Sequence, residues 1–140
     1  MRPSRLRLHV EDRTISDLLD KDAFELAAAR AADELKAENV LVLRLAESCA
    51  FADYFVIASC HTRTHMHAIA RRIDEAARLA KRHRLGYEGE MSETWQLLDY
   101  GDVIVHLFHP QTRQHYNLER LWADAVAVEF APAASAADIR

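Results

Sequence analysis

From residue 22 onward the chain switches between two hydrophobic periods. In "DAFELAAARAADELKAE", Phe24, Ala27, Ala28, Ala31 and Leu35 fall on one stripe at helical spacing. Asp22, followed three residues later by Glu25, is a capping-box-like helix start. "NVLVLRL" alternates instead, with Val40, Val42 and Arg44 against Leu41, Leu43 and Leu45, and predicts a strand. "FADYFVIASC" predicts a second strand, buried at its aromatic and β-branched centre. Helical spacing returns at Met66, Ile69, Ala70, Ile73, Ala77 and Ala80. Thr62 or Thr64 can cap this helix, which is expected to run to about Leu85, with Gly86 as its stop. "GYEGEMSE" is turn-rich and holds a small strand.

The next stretch, "WQLLDYGDVIVHLFH", reads as a hairpin. Gly101 at the first central position suits a two-residue type II′ turn with Asp102. That register sets Tyr100 opposite Val103 and Leu98 opposite Val105. One face then carries Gln96, Leu98, Tyr100, Val103, Val105 and Leu107; the other carries Trp95, Leu97, Asp99, Ile104, His106 and Phe108. Both faces are apolar, so one is expected under a helix and the other under further cover or a partner. "PQTRQHYNLERLW" reads as a short helix entered at Pro110, then a turn. Residues 1–20 show no period and read as an arm. Residues 125–140 drift into small residues and proline and read as a frayed tail. No internal repeat and no second domain are visible in the pattern.

Bulk properties narrow the function. The chain has 140 residues, one domain's worth, and a formal net charge of −4, which argues against a general nucleic-acid binder. A local basic face remains: Arg71, Arg72, Arg78, Lys81, Arg82 and Arg84 against Asp74 and Glu75. It reads as a solvated helix face or as a contact with RNA or an acidic partner. No apolar run has transmembrane length and the first residues lack the apolar region of a signal peptide, so a cytoplasmic protein is expected. Cys49 and Cys60 then read as reduced thiols.

Candidate chemistry is sparse. Asp99 and His106 lie diagonally on the hairpin, roughly 7 Å apart at Cβ. That pairing serves either a general base oriented by an acid or a structural hydrogen bond. No phosphate-cradling glycine loop or nucleophile elbow is present. Asp20 and Asp22 form a D-x-D pair at a helix entrance, where capping explains them. His61 and His65 are four apart beside His67 and could share a metal, but no accompanying ligand motif supports it. His106 and His109, three apart on a strand, face opposite ways. Cys60 has His61 and Arg63 beside it, a setting that suggests activation.

"ADYFVIAS" before a helix, then "EGE…TWQLLDYGDVIVHLFH" and "YNLERLW", resemble the RsfS (Iojap-like) family of ribosomal silencing factors, over about residues 22–124. The resemblance implies one small domain over 21–124 in the α/β (α+β-like) class, a mixed sheet packed by helices with a likeness to the nucleotidyltransferase fold. It implies docking on the large ribosomal subunit through its protein L-fourteen, obstruction of small-subunit joining, and lower translation when nutrients are scarce. It implies no enzymatic activity and no cofactor, and homodimers occur in the family. Trp95, Asp99, Gly101, Asp102 and His106 match the family motif, as do Asp53, Tyr54, Tyr116, Leu118, Glu119, Leu121 and Trp122. Partner binding carries over to Trp95 first, then to Arg113 and Tyr116, with Asp99, His106, Leu118 and Glu119 beside them. Asp53, Tyr54, Gly101, Asp102, Leu121 and Trp122 carry over as framework. Cys60 departs from the family's usual glycine, and the arginine that commonly follows is displaced to Arg63, so no role is carried to either. The competing reading is a nucleotide- or RNA-modifying enzyme on the same fold, with Asp99, Asp102 and His106 as its site.

Overall fold

A computed structural model describes residues 23–47, 49–121 and 124–130. Helix α1 (Phe24–Glu34) leads into β1 (Glu38–Arg44) and β2 (Tyr54–Ser59). Helix α2 (Arg63–Leu79) crosses to β3 (Gly86–Glu88), β4 (Trp95–Asp99) and β5 (Val103–Phe108). Two short helices, α3 (Pro110–Tyr116) and α4 (Leu118–Leu121), precede β6 (Val126–Val128). The strands form one mixed sheet in the order β3-β4-β5-β2-β1-β6. Among the described strands only β2 and β5 pair in parallel, and the long α2 crossover lies between them in sequence.

The expected alternation holds. Phe24, Ala28 and Ala32 of α1 and Met66, Ile69 and Ile73 of α2 bury one sheet face, built from Val42, Val56, Leu98, Val103, Val105 and Leu107. Leu43, Leu45, Phe55, Ile57 and Phe108 line the other face, where Leu118 of α4 closes over them. The hairpin register is the one its turn predicts: Leu98 pairs with Val105, and the Tyr100 N–H donates to the Val103 carbonyl at 2.9 Å. Gly101 has φ +92°, the left-handed region that its position requires.

The end of α2 and the tail depart from expectation. Helix α2 ends at Leu79, six residues short of Leu85. Lys81 takes a left-handed conformation (φ +59°), the Lys81 N–H returns to the Arg78 carbonyl and the Arg82 N–H to that of Ala77, a Schellman closure made without glycine. Gly86 therefore opens β3 instead of ending a helix. Thr62 is the cap at the other end, its hydroxyl accepting from the His65 N–H. The capping-box reading of α1 rests on Asp22, which lies outside the described residues; Ala23 directly precedes the helix without a side-chain cap, and Glu25 is buried. The tail from 125 contains β6, which pairs with β1 (Val42 with Val128, Arg44 with Val126) and covers an edge that would otherwise present unpaired backbone groups.

Candidate docking surface

Trp95 opens β4 directly opposite Phe108 of β5. Its position is set from before the strand: the Ser92 hydroxyl accepts the N–H groups of Thr94 and Trp95 at 3.0 and 3.1 Å. The next residue, Gln96, is fully buried on the opposite face. Its amide nitrogen donates to the carbonyls of Glu90 and Ser92, and its oxygen accepts from the Tyr87 hydroxyl. That buried amide, through its three hydrogen bonds, staples the β3–β4 loop to the strand. Sequence reasoning missed the roles of Ser92 and Gln96; a lone glutamine among inward-facing apolar positions was the available signal.

The half-buried indole of Trp95 packs on Phe108, with ring centroids 4.8 Å apart, and on Tyr116 of α3 at 5.0 Å. Tyr116 is 47% exposed. Beside Trp95 lies an open depression of about 280 Å³ lined also by Glu88, Gly89 and Leu97. The result is an aromatic shelf at the edge of the second sheet face.

His106 lies beneath this shelf, 4% exposed. Its Nδ1 accepts the Trp95 indole N–H at 3.2 Å. Its ring is parallel to Phe108 and edge-on to Phe55. Burial lowers its pKa to about 4, so the imidazole is neutral at physiological pH. With Nδ1 accepting, the proton sits on Nε2, which has no hydrogen-bond partner among the described residues.

The acid–histidine pair does not form. Asp99 and His106 are diagonal as expected, but the Asp99 carboxylate accepts the Gly101 N–H at 2.8 Å and shapes the turn. Asp102 belongs to the other layer: Arg82, which follows α2 and lies over the Phe24 ring, holds its carboxylate. The Asp102 carbonyl accepts the N–H groups of Asp53 and Tyr54, tying the hairpin turn to the start of β2. Asp99, Asp102 and His106 are thus not gathered around one reacting position.

Arg113 also turns inward, donating to the Asn39 carbonyl at 2.7 Å and the Ser59 hydroxyl at 2.9 Å. Leu118 is buried. Asp53 is exposed and Tyr54 half-buried. Glu119 and Leu121 lie in α4, their side chains outside the described residues, as is Trp122 altogether.

The histidine cluster disperses. His61 faces Glu38, His65 donates to the Leu35 carbonyl, and His67 donates to that of Glu90. Among the described residues no group of three metal-ligating side chains converges. Cys60 is buried, and burial, helped by the charge of Glu38, pushes its thiol up to about 12, the reverse of activation. The basic face is partly neutralised: Arg72 pairs with Glu34 and Glu75, Arg82 with Asp102, and Arg84 with Asp74. Arg71, Arg78 and Lys81 remain exposed.

A family model described as "Ribosomal silencing factor during starvation" matches residues 20–139. A ribosomal silencing factor of Bacillus subtilis is 40% identical over 105 residues, 75% of this chain and 88% of the relative. A mouse protein named for mitochondrial assembly of the ribosomal large subunit is 32% identical over 89 residues, 61% of this chain and 39% of that protein. A crystal structure from Bacillus halodurans superposes with a TM-score of 0.63 at 33% identity, covering 82% of this chain and 99% of that one.

Proposed function

Because the chain belongs to the ribosomal silencing factor family, we propose that it docks on the large ribosomal subunit and keeps the small subunit from joining. The docking partner in this reading is protein L-fourteen, and the outcome is lower translation when nutrients are scarce. The observation that carries it is the aromatic shelf: Trp95, half-buried and fixed, beside an exposed Tyr116. Rigid amphipathic aromatics contribute large contact area at little entropic cost, which is why they dominate binding hot spots. Steric exclusion needs only a surface; a footprint of roughly 800 Å² per partner is enough for a stable complex. The mouse relative's name, with its large subunit, supports the choice of subunit.

Trp95 and Tyr116 make the contact in this reading. His106 and Leu118 are buried behind them, and Asp99, Arg113 and Glu119 are assigned to the same partner-binding set. Asp53, Tyr54, Gly101, Asp102, Leu121 and Trp122 form the framework. Arg71, Arg78 and Lys81 add a salt-sensitive contact to ribosomal RNA. A cytoplasmic location is part of this reading; no helix among the described residues is long and apolar enough to cross a membrane.

The test is direct. Purified large subunits are incubated with the protein, small subunits are added, and joined ribosomes are measured by sedimentation. Joining should fall as protein is added and approach zero at saturation. Undiminished joining at saturating protein overturns the proposal.

A further inference from the structure

We propose that His106 is a positioning residue: by accepting the indole N–H of Trp95, it turns the donor edge of that ring into the protein and leaves the partner only the ring's π face beside Tyr116. The inference rests on the docking reading above and specifies the chemistry of recognition at its centre. A ribosomal group that meets Trp95 packs against an aromatic face; it does not accept an indole hydrogen bond.

The geometry supports this assignment. Tryptophan has one polar atom, and when its ring is packed that N–H needs an acceptor. The ring could satisfy it outward, to water or a partner, or inward. Here the acceptor is inward, at 3.2 Å, on a side chain that is 4% exposed and so cannot itself touch a partner. Phe55 and Phe108 hold the imidazole from two sides, so the acceptor is fixed before any partner arrives. Tyr116 meets the indole at 5.0 Å with the planes tilted by 48°, closing one side of the exposed face. A preset ring loses less entropy on docking than one that must choose an orientation.

Two substitutions separate acceptor from packing. His106→Asn keeps an acceptor oxygen near the place of Nδ1 and removes the ring; His106→Phe keeps the ring and removes the acceptor. The readouts are hydrogen exchange of the Trp95 indole N–H by NMR, assigned by its loss in Trp95→Phe, and co-sedimentation with large subunits. In the parent and in His106→Asn the indole N–H should be protected and binding should stay within about threefold. In His106→Phe the N–H should exchange freely and binding should weaken about tenfold, the scale of one lost or unsatisfied buried hydrogen bond. An indole N–H that already exchanges freely in the parent overturns the inference without any variant. Protection retained in a folded His106→Phe also overturns it, leaving the docking reading intact. Binding unaffected by Trp95→Ala overturns both.

Discussion

The guanidinium of Arg82 meets both carboxylate oxygens of Asp102, at 2.6 and 3.1 Å, and so clamps the end of the helix layer onto the hairpin turn. The pair is partly open to solvent, with side chains 25% and 40% exposed, so its strength is that of a well-aligned surface pair. Asp102→Asn should lower stability by about 1 kcal/mol in urea unfolding and leave ribosome binding unchanged. Loss of binding in a variant as stable as the parent would move Asp102 from the framework into the docking surface.

His106 makes stability depend on pH. Its folded pKa is lowered to about 4 from an ordinary 6.5, so between those values the unfolded chain binds a proton that the folded chain does not. The sign follows: the contribution is present above pH 6.5, is lost as pH falls toward 4, and is flat below. The span corresponds to about 3 kcal/mol. Urea unfolding of the parent and of His106→Phe at pH 7.5 and pH 4.5 isolates it, because carboxylates such as Asp99 are common to both. The parent should lose more stability than the variant; equal losses would mean that the imidazole is protonated in the folded state.

Gly89 supports the shelf from β3's end. It has φ +73°, and a Cβ there would stand 2.5 Å from the Trp95 carbonyl oxygen. Gly89→Ala should cost at least about 2 kcal/mol, from the unfavourable φ and the backbone clash together. An unfolding midpoint equal to the parent's would contradict this.

Arg113 is expected to act through α3. Removing its bonds to the Asn39 carbonyl and Ser59 hydroxyl by Arg113→Ala should cost about 1–2 kcal/mol and speed amide exchange in α3. Unchanged exchange in α3 would show that the helix is held by its other contacts.

What could be read from the sequence was what local pattern controls. The hairpin's register and the division of its side chains followed from period-two alternation around Gly101-Asp102. The motif around Trp95 led to the family that the comparisons show. What depended on distant partners was hidden. The bonds of Arg113 were not legible because one acceptor, Asn39, lies 74 residues away. The partners of Arg72 and Arg82 were hidden because Glu34 and Asp102 reach them only in the fold. Helix α2 looked longer because a lysine in a left-handed conformation leaves little trace in composition. Asp99 and His106 looked like a pair because spacing gives position, whereas the Gly101 N–H and the Trp95 indole decide the bonds.

If the Trp95 shelf is the docking surface, removing the indole removes the anchor of the complex. Co-sedimentation of Trp95→Ala with purified large subunits, alongside the parent, tests it most directly, with circular dichroism to confirm folding. Binding should weaken by about 2 kcal/mol or more, a shift of at least about thirtyfold. A folded Trp95→Ala that co-sediments as the parent does would contradict it.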